Sequence, residues 1–221
     1  SDCNNFLSFY ESFWAISRCI CVVCIKKNKT KNNAMSTNRI LLGGINVIIT
    51  KTPFRVSFAG GGSDMADFYE KYGGCVLSTS INKYCYLSIH PYFDEKSTLL
   101  KYSENELVTD ISRIKHRIFN CVLNEYKVEG VEISSTADVP GGTGLGSSST
   151  FTVGLLNTIA CYQGKYMSKG RLAEKACEVE IQKLGSPIGK QDQYAAAFGG
   201  LNFIQFNQDG SVSVEPLVMQ P

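Results

Sequence analysis

From Val47 onward, short runs of alternating apolar and polar residues are interleaved with stretches of helical period. Val47–Thr50 and Arg55–Phe58 read as strand, broken at Pro53, because proline cannot donate to a sheet ladder. Cys75–Ser80, Tyr84–His90 and Val131–Ser135 read as further strands. Leu201–Phe206 and Val212–Val214, joined through Gln208-Asp209-Gly210, read as a closing hairpin. Helical spacing predicts a short helix over Met65–Tyr72, stopped by Gly73-Gly74, and one carrying Ile111, Ile114, Ile118, Val122 and Leu123 to about Tyr126. It predicts three more: about Ser148–Tyr162, a helix capped by Ser168 and reaching Leu184, and about Gln191–Phe198. Mixed strands and helices with hairpins indicate an α+β domain, not a doubly wound parallel sheet.

The first 46 residues break this pattern. Phe6–Ile25 is rich in apolar residues and cysteine, interrupted by Glu11 and Arg18, and a basic, polar run, Lys26–Asn33, follows. A secretory signal would carry its charge before the apolar stretch, and two charges inside that stretch weigh against a membrane span. Cys19, Cys21 and Cys24 lack a neighbouring fourth ligand, so metal binding there is the weaker reading. Residues 1–46 are therefore expected to form an extension outside the catalytic fold, with Met35 as an alternative start.

At 221 residues with a net charge of +2, the chain is long enough for a sizeable core and too nearly neutral for a nucleic-acid surface. Nine scattered cysteines without paired C-x-x-C modules suit reduced thiols in a cytoplasmic enzyme, and no membrane partner is expected.

The chemistry centres on Pro140-Gly141-Gly142-Thr143-Gly144-Leu145-Gly146-Ser147-Ser148-Ser149, which lies between a predicted strand and a predicted helix. A glycine-dense turn feeding a helix start offers unpaired N–H groups and the positive end of the helix dipole, an arrangement that holds an anion, most naturally phosphate. The serines can cap the helix, touch phosphate oxygens or ligate magnesium. The turn is neither a P-loop, since no lysine lies between Lys127 and Lys165, nor a dinucleotide fingerprint, since Ser147 replaces the third glycine. The plainer alternative is an ordinary glycine-rich turn with a serine cap.

Two acidic positions join it. Glu180 shares a helix face with Ala173, Ala176, Cys177 and Leu184, and a carboxylate on an apolar face must be paired or bind a metal. Asp192 opens the last helix, where it would serve chemistry or only cap the helix. Upstream, Gly60-Gly61-Gly62-Ser63-Asp64 forms a second glycine turn, with Asp64 either a ligand or a helix cap. Lys190 would reach a phosphate or stay solvated.

The central decapeptide resembles the phosphate-binding motif of the GHMP kinases. Thr52–Asp64 is similar to the N-terminal sugar-kinase motif of that superfamily. Gly185–Tyr194 is similar to the segment that bears the catalytic aspartate of galactokinase-type members, twelve residues beyond a metal-binding glutamate. The resemblance implies the GHMP-kinase N-terminal domain (ribosomal protein S5 domain 2-like), a mixed, mainly antiparallel sheet with helices on one face, covering residues 47–221. It implies ATP and Mg2+, with phosphates on Pro140–Ser149, the metal on Ser148 and Glu180, and Asp192 with Arg55 as the catalytic pair. Gly60, Gly61, Gly62, Ser63, Asp64 and Lys190 would bind the sugar. Where galactokinase carries Glu-His, this chain has Gly61-Gly62, leaving bare N–H groups suited to a bulkier or phosphorylated sugar.

Arg55–Asp64, Tyr72–Tyr84 and Gly189–Tyr194 look most like the D-glycero-D-manno-heptose 7-phosphate kinases, which implies phosphorylation of the anomeric hydroxyl of that sugar. A fucokinase-like sugar-1-kinase would share every motif. Members of the family continue into a C-terminal ferredoxin-like domain with a third glycine-rich motif, and none is visible before Pro221. The expectation is thus an N-terminal unit, acting as an enzyme, as half of a site in a homo-oligomer, or as an inactive nucleotide- or sugar-binding fragment.

Overall fold

The structure is a computed structural model that describes residues 21–26 and 45–218. Eight strands form one sheet: β1 (Cys21–Lys26), β2 (Ile45–Ala59), β3 (Gly74–Pro91), β4 (Thr98–Lys101), β5 (Asn105–Val108), β6 (Val131–Ala137), β7 (Leu201–Phe206) and β8 (Val212–Pro216). The order is β1-β2-β3-β6-β4-β5, with β7 also on β3 and β8 on β7. Only the β4–β6 pairing is parallel among them, so the sheet is mixed and mainly antiparallel, as the sequence implied.

Two breaks expected from sequence are absent. Pro53 does not interrupt β2; the strand continues through it and the register against β3 shifts between Pro53 and Arg55. A bulge absorbs the missing donor and turns the following residues. Likewise Cys75–Ser80 and Tyr84–His90 are one 18-residue strand, whose first part pairs with β7 and whose last part pairs with β6. Within the expected extension, Cys21–Lys26 pairs antiparallel with β2 at an edge of the sheet. The remainder of residues 1–46, with its cysteine at position 19 and Met35, lies outside the described residues except for Ile45 and Asn46 in β2.

Five α-helices complete the fold: α1 (Ala66–Tyr72), α2 (Arg117–Tyr126), α3 (Ser147–Tyr162), α4 (Lys169–Cys177) and α5 (Gln191–Phe198). Ile111 and Ile114 belong to a 3-10 turn and its cap ahead of α2, not to the helix itself. α3 is the central helix, buried from Thr152 to Ala160 on every side, because it packs on β2 and β3 and also against α2, α4 and α5. Its polar residues are absorbed locally: Thr158 Oγ1 donates to the Gly154 carbonyl and accepts from Thr50 Oγ1 of the sheet, at 2.7 and 2.6 Å. The helix that begins after Ser168 changes character at Glu178, continuing as a π-helical turn to Lys183.

Cys85 and Cys177 are buried thiols. Burial pushes them up to about 11 and about 12, leaving them protonated and inert. Among the described residues no helix is long and apolar enough to cross a membrane.

Candidate active site

The glycine turn runs exposed from Pro140 to Gly144 and enters α3 at Gly146, whose φ of 75° is left-handed. No side chain caps α3 and no acidic residue of its own occupies its first turn, so its leading amides are left without a side-chain cap. Of the three serines, Ser148 is exposed, Ser147 is half-buried and Ser149 is buried. Thr143 Oγ1 donates to the Pro140 carbonyl at 3.3 Å, holding the turn closed on itself.

Arg55 and Asp192 converge on this turn from two other elements. Arg55 Nη2 lies 2.6 Å and Nε 2.8 Å from Asp192 Oδ1, while Nη1 donates to the Gly144 carbonyl at 2.9 Å. A β-carbon at position 146 would sit 3.0 Å from Asp192 Oδ2, which measures how closely the carboxylate approaches the start of α3. Burial pushes the Asp192 carboxyl above its ordinary value, and the Arg55 guanidinium opposes that rise. Asp192 does not cap α5; the cap position is Lys190.

Glu180 approaches the same helix start from the π-helical turn. It is 1% exposed, accepts from Ser148 Oγ at 2.6 Å through Oε1, and accepts from Gln193 Nε2 at 2.8 Å through Oε2. Among the described residues no lysine, arginine or histidine pairs with it. A buried carboxylate without a counter-charge, touching an exposed hydroxyl, is a hard oxygen donor pair that fits a divalent cation. Among the described residues no cluster of three or more His, Cys, Asp or Glu is placed to hold a metal.

The second glycine turn differs from its expected form. Asp64 is 2% exposed; its Oδ1 accepts from Gly62 N and Gln191 Nε2, and its Oδ2 from Gln191 N. It is not a helix cap, since Met65 holds that position, and the Gly62 amide is not bare. Ser63 Oγ donates to the Gly60 and Cys75 carbonyls and accepts from Cys75 N, pinning the turn to β3. Three donors thus occupy three of the roughly four acceptor positions of the Asp64 carboxylate. Lys190 is half-buried: its Nζ donates to the Gly210 carbonyl at 2.9 Å and lies 4.5 Å from the Tyr69 ring centroid.

The sequence model for the GHMP kinases N terminal domain matches residues 112–200, the span from the 3-10 turn ahead of α2 through α5. The D-glycero-alpha-D-manno-heptose 7-phosphate kinase of Campylobacter jejuni is 33% identical over 182 residues, 77% of this chain and 54% of that protein. The chain carries a GHMP kinase N-terminal domain. The galactokinase of Thermotoga maritima is 29% identical over 160 residues, covering 67% of this chain and 43% of the relative. The crystal structure of a D-glycero-D-manno-heptose 1-phosphate kinase from Bacteriodes thetaiotaomicron superimposes with a TM-score of 0.72 at 32% identity, over 79% of this chain and 60% of that one. A mevalonate kinase at 18% identity, TM-score 0.61, shares the fold. The chain thus spans about half the length of the curated relatives it matches.

The structure brings four of the expected residues, Arg55, Ser148, Glu180 and Asp192, together around the start of α3. The sequence reading missed Gln191 and Gln193, which hold Asp64 and Glu180. A polar residue at a helix start carries no pattern of its own, so only their position on either side of Asp192 marked them.

Proposed function

We propose that this chain supplies the nucleotide- and sugar-binding half of an ATP- and Mg2+-dependent sugar kinase that phosphorylates the anomeric hydroxyl of D-glycero-D-manno-heptose 7-phosphate. The observation that carries the reading is the convergence of two carboxylates, from separate elements, on one uncapped helix start beneath a glycine turn.

In this reading the open amides of Gly141–Ser148 and the α3 dipole bind the triphosphate. Ser148 and Glu180 would hold the magnesium ion, which when bound neutralises phosphate charge. Asp192 accepts the proton of the attacking sugar hydroxyl. Its salt bridge to Arg55 keeps the carboxylate ionised despite burial and places a guanidinium beside the transferring phosphoryl group. The glycine turn 60–64, locked by Ser63 and Asp64, presents the sugar. Little covalent chemistry is asked of the protein, so positioning and electrostatics supply most of the rate.

Support for heptose 7-phosphate comes from the Campylobacter relative and from Gly61-Gly62, which clear side-chain bulk at the sugar turn. Similarity to galactokinases favours a second reading, a different sugar-1-kinase with the same machinery. Incubating the 221-residue chain with ATP·Mg2+ and a panel of free and 7-phosphorylated sugars separates the two. The expected result is ADP with heptose 1,7-bisphosphate from the phosphorylated heptose alone. Turnover of a free sugar supports the second reading, and nucleotide binding without ADP from any sugar marks a binding unit.

A further inference from the structure

Gln191, Asp192 and Gln193 are consecutive on the first turn of α5, and each projects about 100° around the helix axis from the last. They therefore reach three different elements. Gln191 grips Asp64 with its backbone N–H and side-chain amide, and its Oε1 accepts from Ser57 Oγ at 2.8 Å. Asp192 meets Arg55. Gln193, fully buried, donates to Glu180 Oε2.

The Gln193 amide has an unusual balance. Its Oε1 is buried without a hydrogen-bond partner, one of three such side-chain atoms among the described residues. Turning the amide over would bring Oε1 against the Glu180 carboxylate, oxygen to oxygen, so the orientation with Nε2 toward Glu180 is dictated by the carboxylate. A buried acceptor left unmade costs free energy. The contact with Glu180 is what the residue is arranged around.

We infer that Gln193 is a positioning residue that fixes the Glu180 carboxylate for the divalent ion of the nucleotide site. This rests on the kinase reading above. Glu180 stands on a π-helical turn, a rare geometry found mostly as single turns, frequently at functional sites. Its two oxygens are held from opposite partners: Ser148 Oγ on Oε1 and Gln193 Nε2 on Oε2. Gln193 occupies Oε2 and so leaves Oε1, on the Ser148 side, as the oxygen turned toward the triphosphate. Because Asp192 precedes Gln193 in the chain, the same helical turn registers the ion-binding carboxylate against the proton-accepting one.

The test uses Mn2+ as a spectroscopic probe with the β,γ-imido analogue of ATP and the full 221-residue chain. Mn2+ affinity is read by electron paramagnetic resonance, without turnover. Gln193→Met keeps the length of the side chain and removes the donor. Gln193→Asn keeps an amide in the core but withdraws it by one methylene, so the measurement stands if the methionine variant does not fold. The expected result is a 10- to 100-fold weaker Mn2+ affinity in each folded variant, the range seen when a hydrogen-bond partner of a metal ligand is lost. Sugar binding, read by calorimetry, should be unmoved. Wild-type Mn2+ affinity in a folded variant overturns the role of Gln193 and leaves the kinase reading intact. Failure of the wild-type chain to bind Mn2+ with the nucleotide overturns both.

Discussion

Arg55 and Asp192 make opposite demands on one carboxylate. Burial raises the Asp192 carboxyl above the ordinary range, and the adjacent guanidinium pulls it back. A proton acceptor must be ionised, so activity is lost as pH falls through the raised value. The acidic limb of kcat/KM is expected at higher pH than an ordinary aspartate would give, and Arg55→Met should move it higher still. A pH profile of each protein checks the sign. Asp192→Asn retains the shape and loses the base, and is expected to lower kcat by about 10²- to 10⁴-fold. Its thermal midpoint should not fall in proportion, since an ionised carboxylate with a raised value is no asset to the fold; calorimetry decides. Gly189 is a purely steric case, because a β-carbon there would lie 2.0 Å from Asp64 Oδ2. Gly189→Ala is expected to displace Asp64 and raise the sugar KM while leaving nucleotide affinity unchanged.

Among elements, the β4–β5 hairpin and the 3-10 turn after it are organised by one buried acid. Glu106 accepts from Tyr102 Oη, Lys115 N and His116 N, and these donors hold its carboxyl below the ordinary range against the cost of burial. Glu106→Gln is expected to cost about 1–3 kcal/mol, the value of a hydrogen-bonded buried charge. The depressed value sets the sign: the contribution is present above the unfolded-state pKa and disappears as pH falls through the folded one. Urea titrations at several pH values should therefore show the difference between the two proteins shrinking in acid. The π-helical turn is pinned on its outer side by Lys175 and Lys183, each paired with both Glu125 and Glu178 at 2.6 to 2.9 Å. The carboxylate at position 180 is thereby offered inward.

These same elements show which features were legible. α3, α5 and the β7–β8 hairpin stood out because their apolar spacing runs long enough to be unambiguous or is bounded by glycine. β4 and β5 were missed because each is four residues long and set among charges at Lys96, Glu104 and Glu106. The π-helical turn was read as plain helix, since a single inserted backbone step leaves the apolar period almost unchanged. Arg55, Asp192, Ser148 and Glu180 were readable through motif spacing. The inward turn of Asp64 was not, because it depends on Gln191, 127 residues away in the chain.

For the molecule as a whole, the phosphate site is built from three separate regions: the arginine of β2, the turn into α3, and the π-helical turn with α5. Nucleotide binding should therefore tie the whole unit together. Saturating ATP·Mg2+ is expected to raise the thermal midpoint, with a stabilisation of about 2.7 kcal/mol at a hundredfold excess over Kd. Magnesium or nucleotide alone should give a smaller rise, which differential scanning fluorimetry can separate. Beside the 60–64 turn, the exposed Phe68 and Tyr72 border a cavity of about 520 Å³ that Cys75, Phe203 and Gln205 also line.

The long strand β3 has a consequence for how the two ligands would sense one another. Its opening residues are clasped by Ser63 of the 60–64 turn, while Tyr84, further along, donates its backbone N–H to Asp138 Oδ2 just ahead of the glycine turn. One continuous ribbon is thus the common rail for both turns. On the proposed function, a shear of that rail at one end would be passed to the other, and the gap between donor phosphate and acceptor hydroxyl would be set by the stiffness of a single strand.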